Sequence, residues 1–133
     1  MKYRALGNTG LMVSELVVGT VPFGGRGAFE KTGSVDVDLA RRMFDAAFDA
    51  GVNLVDTADL YSHGLAEEIV GKALGERRQS IILASKARSP MAVHPHYCGA
   101  SRYHLIRARD ACPLCSSPAS LPLSHLSPPY SVT

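Results

Sequence analysis

Apolar and polar residues alternate along residues 1–111 in two different rhythms. Short apolar runs bounded by glycine or polar residues predict strands. These are Tyr3–Leu6 and Leu11–Ser14 around the turn Gly7-Asn8-Thr9-Gly10, then Leu16-Val17-Val18 ending at Gly19-Thr20, Val52–Val55 ending at Asp56, and Ile81–Ser85 followed by Lys86. Between them apolar residues recur at helical spacing. Asp36 or Asp38 caps a helix running to Ala50, with Leu39, Met43, Ala46, Ala47 and Ala50 turned inward. A second helix spans Leu65–Leu74, with Leu65, Ile69, Val70, Ala73 and Leu74 inward. Glu67 and Glu68 fall in its first turn, where the helix dipole favours a negative charge. Ser101 caps a third helix through Tyr103, Leu105 and Ile106.

The order is a hairpin followed by β-α-β-α-β-α. Such alternation predicts an α/β fold of parallel strands joined by right-handed crossovers. The strand ends at Thr20, Asp56 and Lys86 are 36 and 30 residues apart, each the length of one βα unit.

Composition divides the chain in two. Eleven of twelve glycines and eleven of twelve acidic residues lie at or before Glu76, whereas residues 112–133 carry five prolines, six serines and no acidic, lysine or arginine side chain. With neither a strand nor a helix period, residues 112–133 are expected to be a disordered tail. A net charge of +2 on 133 residues gives no basic surface for nucleic acid. No apolar run is long enough to span a membrane. Three cysteines, an odd number, argue against a secreted disulfide framework and for a reducing cytoplasm. Cys112-Pro113-Leu114-Cys115 and His94-Pro95-His96 lack the further ligands a zinc site needs, so no metal is expected.

The chemistry gathers at the strand ends. In a parallel sheet Thr20, Asp56 and Lys86 all lie on one side, where barrels and open sheets alike build their sites. Asp56 and Lys86, on adjacent strands, are placed to pair, and Tyr61 follows in the next loop. A tyrosine alone is too weak an acid to protonate an alkoxide well at neutral pH. A nearby ammonium stabilises its phenolate, and a carboxylate holds that ammonium in place. The trio would make a proton donor suited to carbonyl reduction. Spacing alone leaves blander readings open: Asp56 as a turn cap, Lys86 as a solvated strand end, Tyr61 as packing. Gly24-Gly25-Arg26-Gly27 is a weak candidate phosphate loop, without the spacing of a dinucleotide fingerprint.

At these residues the chain resembles the aldo/keto reductase family. Tyr3–Ser14 is similar to the family's opening hairpin, and Gly51-Val52-Asn53-Leu54-Val55-Asp56-Thr57-Ala58-Asp59-Leu60-Tyr61 to its second-strand signature. Glu67–Leu74 and Leu83-Ala84-Ser85-Lys86 resemble the helix and third strand that follow, and Gly99–Ala108 the start of the third helix. The resemblance implies part of a (β/α)8 TIM barrel, residues 1–111, made of the hairpin and about three βα units. It implies an NADPH-dependent oxidoreductase that reduces small aldehydes or ketones. Tyr61 would be the general acid, tuned by Lys86 and Asp56, and Gly19, Thr20 and Asp56 would lie beside the nicotinamide ribose of NADPH.

The family's catalytic histidine, at the end of a fourth strand, has no matching segment here, and His125 lacks a strand context. A barrel of this kind takes roughly 250 residues. The expectation is therefore a truncated chain that does not turn over alone. The alternative is a non-catalytic remnant that misfolds, associates with a full-length relative or is degraded. Self-association through exposed strand edges is expected in either case.

Overall fold

Every predicted strand and helix forms, in the predicted order. The computed structural model describes residues 1–112, so the expected disordered tail, with Cys115 and His125, lies outside the described residues apart from Cys112. Strands β1 (Tyr3–Ala5) and β2 (Met12–Ser14) make an antiparallel hairpin with Tyr3 opposite Ser14. Strands β3 (Val18–Gly19), β4 (Leu54–Asp56) and β5 (Ile82–Ala84) make a parallel sheet in that order. Helices α1 (Val37–Asp49), α2 (Leu65–Leu74) and α3 (Arg102–Ala111) follow β3, β4 and β5. The described residues thus form an open three-stranded βα sheet, part of a TIM barrel and not a closed one.

Strand β3 is shorter than the apolar run predicts. Leu16 and Val17 lie before it and are 62% and 49% exposed. Among the described residues the outer edge of β3 has no partner strand, so little covers these side chains.

Asn53 fastens the hairpin to the sheet. Its Oδ1 accepts from the Ser14 amide at 2.8 Å, its Nδ2 donates to the Met12 carbonyl at 2.9 Å, and its own amide donates to Ser14 Oγ at 3.1 Å. The Tyr3 hydroxyl adds a bond to the Gly51 carbonyl at 2.7 Å.

Helix α1 starts where the pattern places it: the Asp36 carboxylate caps it by accepting from the Leu39 amide at 2.8 Å. Its inward face differs from the expected one. Ala40 and Phe44 are fully buried, Leu39, Met43 and Ala47 are half-buried, and Ala46 and Ala50 are exposed. The large rings set the phase: Phe44 meets Phe23 at 5.8 Å between centroids and stacks on Phe48 at 5.4 Å. Helix α2 buries Ile69, Val70, Ala73 and Leu74 as expected, with Leu65 half-buried, and adds Ala66. These residues, with Val55 at the centre of the sheet, form the core. Ser101 caps α3 by accepting from the His104 amide at 3.1 Å. Cys112, just past α3, is buried in the same core, although composition groups it with the tail.

Candidate active site

Register brings the strand ends together. Gly19 pairs with Asp56, and Asp56 with Ala84, so one line across the sheet runs from the end of β3 to the end of β5. Beyond it the Thr57 amide donates to the Ala84 carbonyl at 2.8 Å and the Asp59 amide to the Lys86 carbonyl at 3.1 Å. These two bonds extend the ladder past the sheet and fix Lys86 next to Asp56.

The Lys86 ammonium lies 2.7 Å from each Asp56 carboxylate oxygen and 2.7 Å from the Thr57 carbonyl oxygen. Those three bonds use all of its donor hydrogens. The same ammonium sits 5.2 Å from the centroid of the Tyr61 ring, within the range of a cation–π contact. Among the described residues its contact with Tyr61 is therefore this one with the ring, and not a hydrogen bond to the phenol. Tyr61 also meets Phe29 edge-on, with centroids 5.7 Å apart. Asp56, Tyr61 and Lys86 thus gather at one place, as their spacing suggests.

Gly19 and Thr20 differ. Gly19 is exposed, and a Cβ built on it would meet nothing within 4 Å, so the floor above it is open. Thr20 is fully buried, and both its amide and its hydroxyl donate to the Asp56 carbonyl at 3.1 Å. Its side chain thereby braces the backbone of Asp56.

Gly24–Gly27 does not open a helix N-terminus, so it lacks the geometry of a phosphate loop. It leads into a short 3-10 turn, Gly27–Phe29, and packs against the turn Tyr61–Gly64. In that second turn Ser62 and His63 take left-handed backbone angles, φ 50° and 53°. Such angles in non-glycine residues cost on the order of 1–3 kcal/mol each and persist only where surroundings enforce them.

Several polar side chains that follow the strand ends are buried, among them Thr57, Asp59, Glu67 and His104. The Ser85 hydroxyl donates to Glu67 at 2.6 Å, and Glu67 is only 4% exposed despite its place in the first turn of α2. Asp59 and His104 are buried nearby, and Asp59 Oδ2, Thr57 Oγ1 and His104 Nε2 have no hydrogen-bond partner among the described residues. Burial, reinforced by the Glu67 charge, holds the Asp59 carboxyl above its ordinary range, against the opposing pull of the Leu60 backbone and His104. Sequence reading missed Ser62, Glu67 and His104 as site-shaping residues. Each acts through a fold-dependent neighbour, and only Glu67 had a local signal, which pointed to the helix dipole.

The family model for the aldo/keto reductase family matches residues 15–111. The chain belongs to the aldo/keto reductase family. Among its relatives is a Bacillus subtilis oxidoreductase, YrpG, 40% identical over 101 residues, which cover 69% of this chain and 28% of the relative. An aldo-keto reductase from Bacillus halodurans in its holo form superposes with a TM-score of 0.64 at 39% identity, over 83% of this chain and 34% of that one. An aldo-keto reductase from Klebsiella pneumoniae in complex with NADPH superposes with a TM-score of 0.54 at 28% identity, over 74% of this chain and 30% of that one. This aldo/keto reductase chain spans about a quarter to a third of the length of the curated relatives it matches.

Proposed function

We propose that this chain carries the proton-donating part of an NADP(H)-dependent reductase site that converts small aldehydes or ketones to alcohols. The observation that carries the reading is Lys86, held by Asp56 at 2.7 Å and set 5.2 Å from the Tyr61 ring at the ends of adjacent parallel strands. NADPH, when bound, supplies the hydride. Tyr61 donates the proton to the substrate oxygen, and the ammonium of Lys86 stabilises the phenolate left behind. Asp56 fixes that ammonium in place.

The residues present suit the nicotinamide end of the cofactor: Gly19 leaves open space and Asp56 offers a carboxylate at the same strand ends. The NADPH in the Klebsiella reductase supports this choice of cofactor. Thr20 contributes by holding the Asp56 backbone. A cytoplasmic setting fits the odd cysteine count. Among the described residues, no helix is long and apolar enough to cross a membrane.

Titration of the 133-residue chain with NADPH, followed by cofactor fluorescence, tests the reading. Binding that survives Tyr61→Phe and weakens in Asp56→Asn supports it. Where reduction of a small aldehyde is measurable, Tyr61→Phe lowers it by roughly 10²–10⁴-fold, the usual contribution of a positioned acid. Absence of NADPH binding overturns it and favours a non-catalytic piece that associates through its strand edges. The exposure of Leu16 at 62% and Val17 at 49% beside the β3 edge, unpaired among the described residues, is the observation behind that second reading.

A further inference from the structure

We propose that Ser62 is a positioning residue that latches the turn carrying Tyr61 onto the Gly24–Gly27 loop, so that this loop sets the orientation of the phenol. The inference rests on the reading of Tyr61 as the proton donor, and adds the device that aims it.

Ser62 follows Tyr61 directly and is fully buried. Its hydroxyl donates to the Phe23 carbonyl at 2.8 Å and accepts from the Gly25 amide at 2.9 Å. One side chain therefore satisfies a donor of the loop, the Gly25 amide, and the Phe23 carbonyl just before it, across 37 and 39 residues of sequence. Those bonds lie at a point where the backbone of Ser62 and His63 is left-handed, a conformation neither residue favours. The latch supplies an opposing force that keeps the turn in this shape.

Two glycines make the close approach possible. A Cβ on Gly24 would lie 2.9 Å from both Cβ and Oγ of Ser62, and one on Gly27 would lie 2.6 Å from the His63 Nε2. The loop then continues into Phe29, which meets the Tyr61 ring edge-on at 5.7 Å. Tyr61 is thus held from two directions by one loop: through its neighbour's hydroxyl and through an aromatic edge. This arrangement also gives the run Gly24-Gly25-Arg26-Gly27 a role other than phosphate binding.

The test incorporates 3-fluorotyrosine at position 61 of the 133-residue chain and reads its fluorine resonance. Thermal melting is recorded alongside. The parent should give one sharp line. Ser62→Ala should shift that line and broaden or split it, as the ring gains orientations. Ser62→Gly provides a second variant that relieves the backbone strain and so favours folding, yet still lacks the hydroxyl. It should resemble Ser62→Ala. A folded Ser62→Gly or Ser62→Ala protein with an unchanged line would overturn the proposal. A line that moves in a protein without NADPH binding or reduction would uphold the latch and overturn the proton-donor reading, so the two fail separately.

Discussion

Lys86 and Asp56 make close contact yet stay half in water, with side chains 50% and 40% exposed. Ion pairs this accessible contribute about 0–1 kcal/mol to stability. Replacing Lys86 with Met is therefore expected to lower unfolding free energy by no more than about 1 kcal/mol, measured by urea denaturation. A loss of several kcal/mol would make the pair a structural brace. Asp59, two residues before Tyr61, behaves differently because burial raises its carboxyl above the ordinary value of 3.8. The folded state then binds the Asp59 proton more tightly than the unfolded state does. Its contribution is most favourable below that ordinary value and is lost as pH rises through the folded value. Asp59→Asn removes the ionisation cost. The variant should melt above the parent at neutral pH, with the difference shrinking as pH falls toward 3.8. A gap that stays constant across that range would refute the assignment. Strand-end polar residues such as Asp56 and Lys86 were legible in the sequence because they break apolar runs. The Ser62 bond to Phe23 spans 39 residues and the Ser85 bond to Glu67 spans 18, and no local pattern announces either.

Helix α1 separates what periodicity can and cannot give. Its span and its Asp36 cap follow from local chemistry, and both were readable. Its inward face was readable in part: Leu39 and Met43 do pack against the core, but small alanines such as Ala46 and Ala50 also fit the helical period, whereas packing is decided by where Phe44 and Phe48 find partners. Phe44 is fully buried against Phe23. Phe44→Ala is accordingly expected to cost about 3–5 kcal/mol, the range for emptying a buried aromatic site. Asp36→Ala should cost about 0.5–2 kcal/mol through loss of the cap. Ala46→Ser, on the exposed side, should stay within about 0.5 kcal/mol. Urea unfolding of the three variants checks the order, and a large effect at Ala46 would restore the face that the alanine spacing suggested. Strand β3 shows the converse limit. The apolar run Leu16–Val18 has strand chemistry, but a strand needs a partner, and pairing begins only at Val18.

At the largest scale the outstanding feature of the described residues is the open sheet. Parallel βα sheets are ordinarily covered on both faces, and closure into a barrel removes the strand edges. Here β4 is paired on both sides, while β3 and β5 each pair on one side only among the described residues. Beside the β3 edge lie Leu16, Val17 and Val21, exposed by 62%, 49% and 41%. An unpaired edge next to exposed apolar side chains is a template for another strand, and lysine is a residue that natural edges use to block such pairing. The double variant Leu16→Lys and Val17→Lys places two charges there without touching the Phe23–Phe44–Val55 core. In light scattering of the 133-residue chain, the parent's apparent mass should rise with concentration while the double variant stays near the monomer at an unchanged melting temperature. Equal self-association in both proteins would move the contact to the β5 edge or to another face. A parent that remains monomeric at every concentration would mean that its edges are protected without a barrel.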